Sequence, residues 1–245
     1  MKKTAAIILA GGKGTRMGSD TPKQFIEIGG FPLIYYSLKA FQESFVDEIV
    51  LVCAEDEREY CANDIVEKYG FSKVKTIAGG GKERYNSVYN GLVALRCVSE
   101  GEGTKPCDIV FIHDGARPFV NEDIIRRLYD AAEENRAAIA AVPAKDTVKL
   151  SDNENFTVET PPRDHVWMIQ TPQVFGFYEI YNAYSKLIES ERELLQRGVT
   201  VTDDAMVMEM FSATKVKLVM GDYRNIKITT PDDLPLAKCY ITGGK

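Results

Sequence analysis

The fold is decided by the stretch Ala5-Ala-Ile-Ile-Leu-Ala-Gly-Gly-Lys-Gly-Thr-Arg-Met-Gly18 near the amino terminus. Its first part, Ala5 to Ala10, is a continuous apolar run that leads without a break into glycines. Such a run, bounded by glycine, is typical of a strand that is buried on both faces of a parallel sheet. Because ligands bind at the carboxyl ends of the strands in these sheets, the glycine-rich loop is the first place to look for a functional site.

Strand-like and helix-like segments alternate through the rest of the chain. Apolar runs predict strands at 48–53, 74–78, 108–112, 137–142, 166–175, 216–220 and 225–229. Apolar residues at helical spacing, with caps such as Asn121, predict helices at 32–44, 56–69, 86–96, 121–134, 178–195, 203–211 and 232–240. The alternation predicts an α/β fold, a Rossmann-like three-layer sandwich with a mainly parallel sheet. No linker or internal repeat divides the chain, so residues 1–245 are expected to form one domain.

The alternation is interrupted by an inserted β-arm at about residues 146–163. The arm is predicted to be a hairpin of Thr147-Val-Lys-Leu150 and Phe156-Thr-Val-Glu-Thr160, joined by the polar turn Ser151 to Asn155. An isolated two-stranded hairpin is at best marginally stable in water, so it requires a surface to pack on. A second subunit is a plausible surface, and the arm therefore suggests a homodimer.

Composition excludes several classes of protein. The hydrophobic share of 44% and charged share of 27% are ordinary for a globular protein, and the net charge of -6 gives no support to nucleic-acid binding by a basic surface. No apolar run reaches the ~18 residues that a membrane helix needs, so a cytoplasmic location is expected. The five cysteines include no Cys-x-x-Cys pair and are expected to be reduced thiols rather than zinc ligands.

The glycine-rich loop predicts a site for a nucleoside triphosphate. Glycines let backbone N–H groups approach phosphate oxygens closely, and Arg16 and Lys23 add positive charge beside them. Two better-known phosphate loops are excluded. A Walker loop requires Ser or Thr after its lysine, where Gly14 stands, and a dinucleotide fingerprint requires a third glycine where Met17 stands.

This loop, followed by Pro22-Lys-Gln24, resembles that of the sugar-nucleotide nucleotidyltransferases. Within them, the chain closely resembles the 2-C-methyl-D-erythritol 4-phosphate cytidylyltransferase family over nearly its whole length. The further motifs that carry this resemblance are Gly80-Gly-Lys-Glu-Arg-Tyr-Asn-Ser87, His113-Asp-Gly-Ala-Arg-Pro118, Val142-Pro-Ala-Lys-Asp-Thr147, Gln170-Thr-Pro-Gln173, Thr202-Asp203 and Asn225-Ile-Lys-Ile-Thr229.

The resemblance implies three groups of site residues. Charge on the transferring α-phosphate would be stabilised by Arg16, Lys23 and Lys227. CTP would be bound by Ala10, Gly11, Gly12, Gly14, Gly80, Gly81, Arg84 and Ser87, the 80–87 segment recognising cytosine through backbone groups and the Ser87 hydroxyl. The polyol phosphate would be bound by Asp114, Arg117, Thr147, Arg163, Thr171 and Thr202, of which Thr147 and Arg163 would come from the neighbouring subunit. His113 is expected to be structural.

The resemblance also implies the reaction and its cofactor. CTP and 2-C-methyl-D-erythritol 4-phosphate would give a CDP-polyol and pyrophosphate, a step of isoprenoid precursor biosynthesis by the non-mevalonate pathway. A homodimer is implied, as is Mg2+ or another divalent cation held mainly by the CTP phosphates, without protein metal ligands. The attacking phosphate is already ionised near pH 7, so the chemistry needs positioning and charge neutralisation rather than a strong base.

Alternatives remain at this point. Gly11 and Gly115 stand where many close relatives have alanine, and Lys82 replaces a frequent acidic residue. Because Gly-Gly-Lys-Gly-Thr-Arg-Met also occurs in D-ribitol-5-phosphate cytidylyltransferases, ribitol 5-phosphate is the alternative substrate; the segment 140–147 favours methylerythritol. An NAD(P)-dependent oxidoreductase conflicts with the glycine spacing, and an inactive nucleotide sensor conflicts with the retention of Arg16, Lys23 and Lys227.

Overall fold

The structure is a computed structural model, and it describes residues 2–12 and 21–243. Seven strands in these ranges form one central sheet in the order β11-β7-β10-β6-β1-β4-β5. The strands are β1 Thr4–Leu9, β4 Glu48–Cys53, β5 Val74–Gly79, β6 Ile109–Asp114, β7 Ala137–Pro143, β10 Trp167–Gly176 and β11 Lys217–Met220. All neighbouring strands are parallel except β10, which runs antiparallel to both β6 and β7, so the predicted mainly parallel α/β sheet is confirmed.

Helices cover both faces of the sheet. They are α1 Leu33–Glu43, α2 Arg58–Tyr60, α3 Arg84–Gly101, α4 Glu122–Asn135, α5 Phe177–Gln196, α6 Asp204–Phe211 and α7 Asp233–Thr242. Asn121 caps α4, as predicted, by accepting a hydrogen bond from the N–H of Ile124. The predicted helix at 56–69 is instead a 3-10 turn at Glu55–Glu57, the short α2 and a π-helix at Cys61–Glu67, which buries Cys61 and Ile65.

The alternation of side chains along β1 divides the core into two layers. Ala6 and Ile8 pack on the face covered by α1 and α4, whereas Ala5, Ile7 and Leu9 pack on the face covered by α3 and α5. Each of these residues is at least 92% buried. Burial of one Ile or Leu side chain contributes about 1.5–3 kcal/mol, so β1 is held firmly at the centre of the sheet.

Among the described residues, two short hairpins lie outside the sheet. One consists of β2 Glu27–Ile28 and β3 Phe31–Pro32, and it packs with α7 through a small cluster that includes Ile28 and Ile228. The other consists of β8 Leu150–Ser151 and β9 Thr157–Glu159, at the position predicted for the arm and shorter than predicted.

The prediction of a strand at 225–229 is wrong. The segment is an extended loop without a ladder of strand pairing. Its polar groups are used individually: the N–H of Ile228 donates to Ala116 O at 2.8 Å, and the buried Asn225 amide donates to Thr171 O at 2.9 Å. Ile228 is fully buried, and it anchors the loop so that its neighbour Lys227 lies at the sheet edge.

Within the part of the chain that the structure describes, no helix combines the length and the apolar character needed to cross a membrane.

Candidate functional site

The carboxyl ends of β1, β5 and β6 surround a cavity of about 220 Å³, called here the first cavity. The described residues that line it are Leu9, Ala10, Gly11, Gly12, Lys23, Gln24, Gly81, Lys82, Glu83, Arg84, Ser87, Asp114, Ala116 and Lys227. The structure therefore brings together most of the residues predicted to bind CTP, with the predicted cations Lys23 and Lys227. Gly14 and Arg16 lie outside the described residues.

The turn that follows β5 is organised by its own side chains. The Ser87 hydroxyl accepts a hydrogen bond from Gly81 N–H at 3.0 Å and lies 3.2 Å from Glu83 O, to which it donates. Gly80 does not line the cavity; its N–H donates to Cys53 O at 2.7 Å and fixes the start of the turn. A Cβ at Gly81 would collide with Asn86, so only glycine fits there. The Ser87 hydroxyl thus shapes the 80–87 turn and lines the first cavity, and its predicted contact with cytosine stays a prediction.

A second cavity of about 820 Å³ adjoins the first. The described residues that line it are Arg84, Asp114, Arg117, Ile139, Ile169, Gln170, Thr171, Gln173, Thr202, Asp203, Ala205, Met206, Glu209, Val216, Leu218 and Lys227. Four of the residues predicted to bind the polyol phosphate are among them: Asp114, Arg117, Thr171 and Thr202. Arg84, Asp114 and Lys227 line both cavities and form the wall that the cavities share.

Opposite charges alternate along the shared wall. Lys227 Nζ lies 2.7 Å from Asp114 Oδ2, and Arg84 Nε lies 3.1 Å from Asp114 Oδ1. The two terminal nitrogens of Arg84 lie 2.8 Å from the two carboxylate oxygens of Asp204. Burial raises the pKa of Asp114, but the charges of Arg84 and Lys227 outweigh it and hold the pKa well below its usual range. Asp114 is therefore held in its carboxylate form by these two cations.

Arg117 is the cation of the second cavity that lacks a carboxylate partner among the described residues. Its terminal nitrogens donate to the carbonyls of Asn225 and Ile169, at 2.9 and 3.3 Å, while its Nε is buried without a hydrogen-bond partner there. Burial lowers the pKa of Arg117, and the charge of Asp114 offsets part of that effect. A desolvated guanidinium with an unused donor attracts an anion strongly.

His113 and Thr171 form hydrogen bonds with the backbone of the segment that carries Asp114 and Arg117. His113 Nε2 lies 3.1 Å from Arg117 O, a carbonyl that can only accept, so Nε2 carries the proton. His113 Nδ1 then accepts from the Thr171 hydroxyl at 3.1 Å, and that oxygen in turn accepts from Asp114 N–H at 3.0 Å. Burial lowers the pKa of His113 to about 4, so the imidazole is neutral and structural, as expected.

Thr202 lies on the exposed rim of the second cavity, just before α6. Its hydroxyl contacts the Met206 sulfur at 3.7 Å, while Asp203 provides the helix cap by accepting from Met206 N–H at 3.0 Å. Sequence reasoning missed two residues beside it. Gln173 bonds Asp203 and the N–H of Ala205, and Asp204 pairs with Arg84. The signal available for Asp204 was its place directly after the Thr202-Asp203 motif.

Thr147 and Arg163 line neither cavity of their own chain. Both are exposed, and Arg163 donates to Lys145 O at 3.2 Å. The hairpin between them carries exposed apolar side chains, with Phe156 67% and Val158 69% exposed. Their predicted role, contact with the site of a neighbouring subunit, stays a prediction.

Comparison with known proteins adds the assignment that geometry alone does not give. The model of the family 2-C-methyl-D-erythritol 4-phosphate cytidylyltransferase matches residues 4–243. The chain belongs to this family. A curated 2-C-methyl-D-erythritol 4-phosphate cytidylyltransferase of Lachnospira eligens is 46% identical over 97% of this chain and 99% of its own length, and that of Clostridium beijerinckii is 44% identical over 97% of both chains.

Solved structures of family members have the same fold. The 4-diphosphocytidyl-2C-methyl-D-erythritol synthase of Anaerococcus prevotii superposes with a TM-score of 0.81 at 37% identity, over 98% of this chain and 96% of its own. The Francisella tularensis 2-C-methyl-D-erythritol 4-phosphate cytidylyltransferase gives 0.74 at 32% identity, over 96% and 98%. Membership in the family confirms that the chain is a nucleotidyltransferase of the cytidylyltransferase class, and it supports the methylerythritol prediction over the ribitol alternative.

Proposed function

We propose that the two adjoining cavities hold the two substrates of a cytidylyl transfer, CTP in the first and 2-C-methyl-D-erythritol 4-phosphate in the second. The observation that carries this proposal is the shared wall of Arg84, Asp114 and Lys227, which lines both cavities. Lys23 lines the first cavity and Arg117 lines the second. An electrophile bound in one cavity and a nucleophile bound in the other would therefore meet at Lys227.

The chemistry is a displacement at phosphorus. An oxygen of the polyol phosphate attacks the α-phosphorus of CTP and forms the new P–O bond. The bond from the α-phosphorus to the bridging oxygen breaks, and pyrophosphate leaves with the electron pair. Lys23 and Lys227, with Arg16, stabilise the charge on the transferring phosphate, and the dianionic nucleophile needs no general base.

Arg117 is the residue best suited to hold the phosphate of the polyol. It is a mostly buried cation whose Nε has no partner among the described residues, and it is 2.9 Å from a carbonyl of the loop that carries Lys227. Burial without an anionic partner costs free energy. A phosphate bound in the second cavity would offset that cost by accepting charge-assisted hydrogen bonds from Arg117. The hydrogen bonds of Thr171 and His113 to the backbone of Asp114 and Arg117 fix the positions of these two residues for that contact.

Mg2+ enters this proposal as part of the substrate, bound to the CTP phosphates. The described residues include no group of three or more His, Cys, Asp or Glu side chains that could hold a metal ion, and the carboxylate of the wall, Asp114, is already paired with two cations. These residues do not fit a metal site built from the protein. They fit a nucleotide that supplies its own oxygen ligands, as triphosphates do.

We also propose that the enzyme acts as a homodimer through the arm. Exposed apolar residues occur on the arm (Leu150, Phe156 and Val158) and at Met168 and Ile169 of β10, and Ile169 lines the second cavity. We infer that these side chains form one patch at the mouth of that cavity, which is far larger than a five-carbon polyol phosphate. A partner's arm seated on the patch would bring its Thr147 and Arg163 to that mouth and close it.

The proposed function is tested by product identification. The purified chain is incubated with Mg2+ and CTP together with methylerythritol 4-phosphate, ribitol 5-phosphate or erythritol 4-phosphate, and the products are identified by mass spectrometry. We expect pyrophosphate and CDP-methylerythritol, formed at least ~10-fold faster than any other CDP-polyol. Preference for ribitol 5-phosphate, or consumption of CTP without a CDP-polyol, would overturn the proposal. The Lys23→Ala variant is the negative control.

A further inference from the structure

The charge chain of the site ends at a residue that touches neither substrate cavity. Asp204 is the first residue of α6 and is fully buried, and it is absent from the described linings of both cavities. Isolated burial of a carboxylate costs several kcal/mol, so a carboxylate in this place must be compensated by close partners. Those partners show what the residue does.

Both oxygens of Asp204 are used. Oδ1 and Oδ2 each accept from a terminal nitrogen of Arg84 at 2.8 Å, which is the bidentate geometry that fixes a guanidinium in one plane. The hydroxyl of Tyr184, a fully buried residue of α5, also donates to Oδ1. Burial and the charge of Asp204 raise the pKa of Tyr184 well above its usual value, so the hydroxyl remains a donor.

With both terminal nitrogens bound to Asp204, the guanidinium is held in one plane, and its Nε donates to Asp114. Nε lies 3.1 Å from Oδ1 of Asp114, and this leaves Oδ2 of Asp114 for Lys227 at 2.7 Å. Without Asp204, the nearest carboxylate to Arg84 would be Asp114. The two terminal nitrogens of Arg84 would then turn toward Asp114 and form a bidentate pair with it. The Asp114 carboxylate would then turn with the guanidinium, and Lys227 would lose the fixed acceptor that holds its ammonium.

We propose that Asp204 is a positioning residue for the cytidylyl transfer: by holding both terminal nitrogens of Arg84, it fixes the orientation of the Asp114 carboxylate and so holds the Lys227 ammonium between the two cavities. This inference rests on the proposed function, in which Lys227 stabilises the transferring phosphate. Tyr184 contributes less to this positioning, because its hydroxyl acts only through its hydrogen bond to Asp204.

The test is a double-mutant cycle between Asp204 and Lys227. Asp204→Asn keeps the shape of the side chain and removes its charge, and Lys227→Ala removes the group on which it is proposed to act. We expect Asp204→Asn to lower kcat by about 10- to 100-fold at saturating substrates, the scale of loss when a catalytic group is misplaced. In the Lys227→Ala background, the same change should lower the residual kcat by less than about 2-fold, because the two residues act as one unit.

The folded fraction of each variant is measured by circular dichroism at the assay temperature, and kcat is expressed per folded chain. A merely structural role would lower the folded fraction and leave kcat per folded chain unchanged, or it would lower kcat equally in both backgrounds; either result overturns the inference. Should Asp204→Asn not fold, Tyr184→Phe carries the test, with an expected loss of about 3- to 10-fold that disappears with Lys227→Ala. A wild-type chain that forms no CDP-polyol in this assay overturns the proposed function, and with it this inference, whereas an active wild type with an additive cycle overturns the inference alone.

Discussion

Asp114 places a negative charge where two anionic substrates are proposed to meet. The free-energy cost of burying this charge is offset by pairing, because Asp114 contacts Arg84 and Lys227, and the buried Asp204 behind the wall pairs with Arg84 in turn. The wall together with Asp204 is therefore neutral, and it orients Lys227 without repelling phosphate strongly. The surplus positive charge that the reaction needs must come from residues outside the wall, namely Lys23, Arg117 and the proposed Arg16.

Lys23 gives the sharpest prediction at this scale. It lines the first cavity together with the residues of the wall. Lys23→Ala should lower kcat by about 100- to 1,000-fold, because loss of one preorganised donor to a transition-state oxygen costs about 2.7–4 kcal/mol. Steady-state kinetics with CTP and methylerythritol 4-phosphate measure this. Lys39→Ala is the matched control, since Lys39 forms a surface ion pair with Glu43 on α1 and lines neither cavity. Normal turnover by Lys23→Ala would refute the assigned role.

His113 predicts a pH dependence of stability. Its pKa is about 4 in the folded protein, because of burial, and about 6.5 in the unfolded chain. The unfolded state therefore binds the extra proton first as the pH falls, so the imidazole contributes stability that is complete above pH ~6.5 and is lost toward pH ~4. The slope approaches about 1.4 kcal/mol per pH unit within this window, and the loss reaches roughly 3 kcal/mol.

Denaturant unfolding between pH 7 and 5, above the range in which most carboxylates titrate, measures this slope. NMR titration of the imidazoles in His165→Gln, which leaves His113 as the one histidine of the chain, gives its pKa directly. A midpoint near 6.5 would contradict the structural assignment of His113.

At the scale of elements, apolar runs predicted the strands well because burial on both faces leaves a continuous signal. The spacing of apolar residues does not indicate in which direction a strand runs, however. The antiparallel orientation of β10 was therefore not predictable from residues 166–175. The segment 225–229 has an apolar alternation but no neighbour to pair with, since its backbone bonds the loop at Ala116 instead. The local pattern of apolar residues indicates which side chains are buried. The topology of the fold determines which segments they pack against.

The candidate site was predictable to the extent that its residues follow strands. Gly12, Gly81 and Asp114 each come just after or at the end of a parallel strand, and those ends meet at one edge of the sheet. The pairing of Arg84 with Asp204 joins residues 120 positions apart on two helices, and nothing in either local sequence indicates it. The predicted roles of Gly14 and Arg16 lie outside the described residues and stay predictions.

The arm gives a prediction that belongs to an element. If Arg163 serves the site of the neighbouring subunit, Arg163→Ala should raise the KM for the polyol phosphate by about 10-fold or more, because one charge-assisted contact is worth roughly 1.5–3 kcal/mol. Lys149→Ala is a matched control on the same hairpin, where Lys149 bonds Thr160. An unchanged KM in Arg163→Ala would contradict the proposal that the arm contributes to the polyol-phosphate site.

Mixed dimers separate action across subunits from action within one. Arg163→Ala and Lys23→Ala chains, each with at most about a tenth of wild-type activity under limiting polyol phosphate, should exceed either parent when mixed, because each heterodimer contains one intact site. Random mixing makes half the dimers heterodimers with one good site of two, so about a quarter of wild-type activity is expected. Lys23→Ala mixed with Lys227→Ala should regain none, since both residues line the same cavity; rescue there, or none in the first pair, contradicts the shared site.

At the scale of the whole molecule, net charge and site charge have opposite signs. The chain carries -6 overall, whereas its two proposed substrates are strongly anionic. Long-range attraction therefore does not assist their arrival, and binding must rely on short-range contacts with the cations of the cavities, which salt screens less than surface charge. Affinity for the nucleotide should accordingly depend on Mg2+ and on the cavity lining more than on ionic strength.

This argument yields a prediction about the stability of the entire chain. A ligand that binds only the folded state raises the free energy of unfolding by about 2.7 kcal/mol at a concentration of 100 times its Kd, and for a chain of this size that shifts Tm by roughly 5–10 °C. CTP with Mg2+ should produce such a shift and NAD(P) should produce none, because the glycine loop lacks the dinucleotide spacing. Methylerythritol 4-phosphate should add a further shift in the presence of a non-hydrolysable CTP analogue, since the second cavity opens onto the same wall. Differential scanning fluorimetry measures all three, with Lys39→Ala as a variant that should respond like the wild type. Stabilisation by NAD(P), or by CTP with no response to the polyol phosphate, would point to an oxidoreductase or to a nucleotide sensor instead.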